Sequence, residues 1–127
     1  MVGGDATIRP MLGWLRGLLA GKPVLVKGTA RLPEGEARCV ALGDPLAGSK
    51  ELVLARSGGR LFAVDRHCPH EGGRMADGPL AEGRYVVCPL HNYKFDPKSG
   101  QAVGVACPKA RVYRVREVGE DCEVWPW

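Results

Sequence analysis

A mostly β fold, an antiparallel sandwich or barrel preceded by one short helix, is predicted by this sequence on three observations. Short runs rich in Val and Leu recur from Pro23 onward, each bounded by Gly, Pro or Asp, as strands with tight connections require. The 127 residues include 18 Gly and 10 Pro, so turns are frequent, and many short strands with turn signals argue for a sandwich or barrel. A helical period, by contrast, marks the segment ahead of the first strand.

In that segment Ile8, Met11, Leu12, Leu15, Leu18 and Leu19 fall on one helical face. Pro10 suits a first turn, and Gly21 with Pro23 supplies the stop, because Gly accepts the left-handed cap and Pro cannot continue the helix. The expected role is packing on the chain's own domain, with docking to a partner as the alternative. Gly13 and Gly17 form a G-x-x-x-G, but Arg16 interrupts it and the apolar length is too short for a membrane dimer.

The strands follow in order. Val24 to Lys27 is the first candidate, and Ala37 to Leu42 the second, after the turn signal at Pro33 to Gly35. Leu52 to Arg56 and Leu61 to Val64 frame Ser57-Gly58-Gly59-Arg60 as a hairpin connection. Arg84 to Val87, Tyr93 to Phe95, Val112 to Val118 and Glu123 to Trp125 complete the set, the last two joined through Gly119. No linker divides the chain. The expected organisation is a helical extension over residues 1–22 and one domain over 23–127.

Composition narrows the function. The formal charge of +4 is spread without a Lys/Arg-dense tract, which gives little reason to expect nucleic acid and favours an acidic protein partner. Leu12 to Ala20 is the sole apolar run at the N-terminus and Arg16 breaks it, so no membrane span is expected. Five cysteines, an odd number widely spaced, do not resemble a secreted disulfide framework, and a reduced, cytoplasmic chain is expected.

The chemistry concentrates between residues 68 and 91. Cys68-Pro69-His70 and Cys88-Pro89-Leu90-His91 are a C-x-H pair and a C-x2-H pair separated by seventeen residues. On a tight turn Cys and His at such spacing can point at one centre, and each pair carries a Pro that restricts the loop. Two thiolates and two imidazoles suit either one tetrahedral zinc or a 2Fe-2S cluster with His in place of Cys on one iron. Zinc gathers all four side chains on one ion, whereas the cluster separates them into two pairs.

These residues resemble the Rieske iron-sulfur family. Cys68-Pro69-His70-Glu71-Gly72-Gly73 is similar to its first cluster loop, and Cys88-Pro89-Leu90-His91-Asn92-Tyr93-Lys94-Phe95-Asp96 to its second, followed by a Ser99-Gly100 turn. Cys107-Pro108 matches a third, covering loop, and the likeness runs over roughly residues 24 to 127. The resemblance implies a Rieske-type β fold with a small cluster-binding subdomain. It further implies a 2Fe-2S cluster in which Cys68 and Cys88 ligate a buried iron and His70 and His91 an outer one.

High-potential members add a Cys to each cluster loop and place hydroxyl donors two and four residues after the second histidine. Here Gly73 and Leu90 stand at the disulfide positions, and Tyr93 and Phe95 at those of the donors. Fewer hydrogen bonds to the cluster sulfurs imply a potential near the low end of the Rieske range, about −150 mV. The resemblance then points to a soluble ferredoxin that passes single electrons from a flavin reductase to an oxygenase. The alternative is the small subunit of an assimilatory NAD(P)H-dependent nitrite reductase, bound to its large subunit, although that family commonly carries Trp where this chain has Tyr93. Gly72, Leu90 and Pro108 are expected to rim the contact face around the histidines.

The remaining residues have plainer expected roles. His67 reads as a turn or surface histidine, with a proton-coupled role as the sharper alternative. Cys39 and Cys122 read as small buried hydrophobes and Cys107 as packing, while Trp14, Trp125 and Trp127 read as core or edge packing. A ring-hydroxylating oxygenase site needs two His and a carboxylate, and with His70 and His91 committed only His67 is left of three histidines. Electron transfer rather than catalysis by this chain alone is the expected activity. A zinc-stabilised interaction module is the remote competitor.

Overall fold

The computed structural model describes residues 22–43 and 50–126. The helical extension expected over residues 1–22, with Trp14, lies outside the described residues except for Lys22, and Trp127 lies outside them too. Nine strands form: β1 (Val24–Val26), β2 (Glu36–Leu42), β3 (Lys50–Ser57), β4 (Arg60–Asp65), β5 (Gly78–Pro79), β6 (Val86–Cys88), β7 (Tyr93–Phe95), β8 (Val112–Val118) and β9 (Asp121–Trp125). Seven of them make one sheet in the order β1-β9-β8-β4-β3-β2-β5, and β6 with β7 makes a separate hairpin. All the pairings are antiparallel, as expected.

Strand β8 makes the sheet curl. Its first residues pair with β4, Val112 opposite Val64 and Tyr113 opposite Ala63, while Arg114 to Val118 pair with β9. Between β3 and β4, Ser57 faces Arg60 across Gly58-Gly59. Both glycines have positive φ, 64° and 77°, which a type I′ turn requires and a side chain resists. The Glu34 carboxylate accepts both of their N–H groups, at 2.7 and 2.8 Å.

The centre of β3 is apolar on both faces because two cores use it. Leu52 and Leu54 join one cluster with Leu61, Ala63, Cys122 and Val124. Val53 and Ala55 join the other with Val64, Met75, Val86 and Phe95. All four β3 residues are fully buried, and burying a Leu or Val is worth about 1.5–3 kcal/mol. Arg56 then fastens the short 3-10 turn at Thr29–Arg31: its guanidinium donates to the carbonyls of Leu32 at 2.7 Å and Thr29 at 2.9 Å, and pairs with Glu117 at 3.1 Å.

Strands β1 to β4 and β9 differ from the sequence expectation by one or two residues at an end, and two departures are larger. Arg84 and Tyr85 are not strand, because their N–H groups both donate to the Ala81 carbonyl, at 3.0 Å each, closing a turn; the strand begins at Val86. Gly78–Pro79 is a strand despite two residues that strands disfavour. It tolerates them at the sheet edge, where Pro79 faces Glu36 and Gly78 faces Ala37.

Candidate metal centre

Two loops rise from the Val53/Ala55 side of the sheet. The first spans residues 66–75 and is closed like a hairpin: Met75 N–H donates to Arg66 O at 2.7 Å, and His67 bridges Arg74. Inside it, Cys68 N–H donates to Gly73 O at 2.7 Å and Gly72 N–H to Cys68 O at 3.2 Å. The second loop is the turn of the β6–β7 hairpin. Cys88 faces Tyr93 across it, and Asn92 takes the left-handed conformation, φ 58°, which Asn accepts more readily than most residues.

The four sequence-predicted donors meet between these loops, sorted by depth. Cys68 and Cys88 are buried, 1% and 2% exposed. The His70 and His91 rings lie farther out, with side chains 26% and 44% exposed. The rings meet edge to face with centroids 5.0 Å apart, and Tyr93 stacks on His70 at 4.3 Å. Burial pushes the Cys68 thiol up, the backbone N–H of His70 pulls it back, the neighbouring Cys88 thiol raises it further, and Glu71 N–H lowers it.

This donor set fits a two-iron cluster. Two adjacent buried thiols, with backbone N–H groups aimed at one of the sulfurs, suit a cationic centre that takes thiolates. Among the described residues no three of His, Cys, Asp and Glu converge on a point that could hold one metal ion, as a closed zinc site demands. The donors stand as a sulfur pair and an imidazole pair instead.

Gly73 is required by this closeness. A Cβ there would lie 2.5 Å from Cys88 Sγ and 3.1 Å from Leu90 Cβ. The positions that carry a disulfide in high-potential relatives thus abut here as Gly and Leu. Phe95 is fully buried and has no hydroxyl to offer a cluster sulfur. Segment 99–110 is held to the site through Gly100: its N–H donates to Asp96 O at 2.7 Å and its carbonyl accepts Ala110 N–H at 2.8 Å. Cys107 is half-buried against the same core.

The other singled-out residues fall largely as expected. His67 is exposed; its N–H donates to Asp65 Oδ1 at 2.9 Å, and its ring lies beside Gly72. Cys122 is fully buried, Cys39 is half-buried with its thiol 3.9 Å from Met75 O, and burial raises both thiols. Arg114 covers the half-buried Trp125 ring at 4.4 Å. Gly72, Leu90 and Pro108 are all exposed.

Sequence reasoning missed two carboxylates. Asp65, besides holding His67, accepts the Tyr113 hydroxyl at 2.7 Å, a partner 48 residues away that no local signal reveals. Glu71 reaches both imidazoles, with Oε1 3.8 Å from His70 Nε2 and Oε2 4.0 Å from His91 Nε2. Its place beside His70 in sequence is a signal; its reach to His91 is not. Among the described residues no helix is long and apolar enough to cross a membrane.

Comparison with known proteins agrees with this geometry. The family model described as Rieske [2Fe-2S] domain matches residues 22–119. The ferredoxin component of a naphthalene 1,2-dioxygenase system from Pseudomonas aeruginosa is 43% identical over 72 residues, which cover 57% of this chain and 64% of that protein. The chain thus spans under two thirds of that relative's length. In structure, the ferredoxin of carbazole 1,9a-dioxygenase from Nocardioides aromaticivorans IC177 matches with a TM-score of 0.66 at 24% identity, over 84% of this chain and 100% of that one. A structure assigned to an NADH-dependent nitrite reductase small subunit from Mycobacterium tuberculosis matches with a TM-score of 0.58 at 23% identity, over 80% and 94%. The last two likenesses are of fold.

Proposed function

Because the chain belongs to the Rieske [2Fe-2S] domain family, and its cofactor is accordingly a Rieske-type 2Fe-2S cluster, we propose that it is a one-electron carrier of the ferredoxin type. In this reading Cys68 and Cys88 hold one iron, and His70 and His91 the other. The observation that carries it is the sorting of donors by depth: buried thiols inside, partly exposed imidazoles outside. When bound, the cluster supplies a single reversible one-electron couple. The chain's own residues do the rest. The braced first loop and the β6–β7 hairpin fix the donors so that little must move, Tyr93 holds the His70 ring, and the exposed imidazole edges mark the side where partners approach.

The partners we favour are a flavin reductase as donor and an oxygenase as acceptor, since the sequence relative is a dioxygenase ferredoxin component. Membership of a nitrite reductase as its small subunit stands second, supported by fold. With Phe95 offering no hydroxyl and the Tyr93 ring stacked on His70, the midpoint is expected near the low end of the family range, about −150 mV. We assign residues 23–127 to the redox domain and residues 1–22 to an extension. Cys39, Cys107 and Cys122, which form no disulfide, suit the reducing cytoplasm.

Anaerobic purification followed by metal analysis, absorbance and electron paramagnetic resonance tests the reading. A red-brown protein with two irons and a rhombic signal on reduction, discharged by an oxygenase component, is the expected result. A colourless protein with one zinc, or a midpoint well above 0 mV, overturns it.

A further inference from the structure

Glu71 is in contact with the donor set at two levels. Its backbone N–H lies against Cys68 Sγ, on the buried side. Its carboxylate sits on the outer side, with one oxygen toward each imidazole, 3.8 Å from His70 Nε2 and 4.0 Å from His91 Nε2. The short loop gives the backbone little room, since Cys68 and Gly73 are tied by a 2.7 Å hydrogen bond across it. Tyr93 stacked on His70 at 4.3 Å restrains that ring. Arg56, Arg66, Arg74, Lys94 and Arg116 pair with other carboxylates.

From this placement we propose that Glu71 tunes the cluster: its negative charge, spanning both outward imidazole nitrogens, disfavours the reduced state and lowers the midpoint potential. The proposal rests on the ligand assignment above. Reduction adds one electron at a centre bordered by these rings, and a fixed negative charge close to added negative charge opposes it. The low potential expected above then has two sources, the hydroxyl that Phe95 lacks and the carboxylate present at 71. The carboxylate is 60% exposed, so salt should weaken its influence.

The experiment is protein-film voltammetry at pH 7 and low ionic strength on the full chain and three variants. E71Q keeps the shape and removes the charge; E71D keeps the charge; E120Q removes an exposed carboxylate on the β8–β9 turn. At a fixed applied potential near the wild-type midpoint, E71Q is expected to raise the reduced-to-oxidised ratio about fivefold, less at high salt. E71D and E120Q should stay within twofold of wild type, and all four proteins should share one rhombic resonance signal. An unshifted or lowered midpoint in E71Q overturns the proposal. So does an E71D shift equal to that of E71Q with altered g values, which would reveal a merely structural loop residue. A wild-type protein without the rhombic signal overturns the ligand assignment itself, a failure distinct from an unmoved E71Q in a protein that shows it.

Discussion

The two faces of β3 support regions built by different means. On the Leu52/Leu54 side, long strands meet in continuous register, six residue pairs between β2 and β3 and six between β3 and β4, and side chains fill the space between them. On the Val53/Ala55 side the strands are two or three residues long. Order there comes from backbone hydrogen bonds across loops and from glycines that admit close approach. The first region is a base whose stability is spread over many apolar contacts; the second is a tip whose geometry hangs on a few atoms. The proposed carrier function would benefit from the division, because side chains on tightly tied loops can be both fixed and partly exposed.

If that contrast holds, single atoms should matter most in the tip. A Cβ on Gly100 would collide with the Ala110 carbonyl, 3.0 Å from its carbon, and the residue's φ of 82° already disfavours a side chain. Gly100→Ala is expected to cost about 4 kcal/mol or more in the tip. Hydrogen exchange should speed up over residues 96–110 and cluster absorbance should fall, while β3 and β4 keep their protection. Equal loss of protection in every strand would show that base and tip are one cooperative unit.

The complementary change is Leu54→Ala in the base. Leu54 is fully buried, and its truncation is expected to cost about 3 kcal/mol. Because β3 underlies both cores, base and tip should lose protection together. A lowered denaturation midpoint with an unchanged slope would check this. Destabilisation confined to the base would mean that the tip is held by its own loops and cluster rather than by the sheet.

The same contrast explains what could be read from the sequence. In the base, Leu52-Val53-Leu54-Ala55 and the Gly58-Gly59 turn announce a hairpin locally, and β7 and β8 match their expected bounds. The Cys and His residues that meet at the tip were legible as a group because each Cys and His pair is two or three residues apart. The β5 strand was not, since Gly78 and Pro79 owe their state to an edge partner at Glu36 and Ala37. Gly100 reads as a turn glycine, yet what makes it irreplaceable is a carbonyl ten residues on. Arg56 carries no local mark of its three partners at Leu32, Thr29 and Glu117. Long-range polar contacts and close backbone approaches leave no periodicity, which is why the missed features are largely of those kinds.

A smaller effect probes the seam between the regions. Tyr113 belongs to the base core, but its hydroxyl donates to Asp65, which also accepts the N–H of His67 at the start of the first donor loop. Lys50 donates to the same hydroxyl at 3.2 Å. Burial pushes the Tyr113 pKa up, and the Asp65 hydrogen bond and charge push it further. A folded-state pKa above the unfolded one gives stability that is fully present below about pH 10, the ordinary tyrosine value. It is lost as pH rises, because the unfolded chain releases its proton first. Tyr113→Phe is expected to cost about 1 kcal/mol at pH 7 and to flatten the decline above pH 10. The thiols of half-buried Cys39 and buried Cys122, also raised by burial, contribute an alkaline decline in both proteins. The difference between the two denaturation curves, measured from pH 8 to 11, therefore isolates the tyrosine. Parallel curves over that range would mean that the Tyr113 proton is not held by the fold, and that Asp65 joins base to tip through its contact with His67 alone.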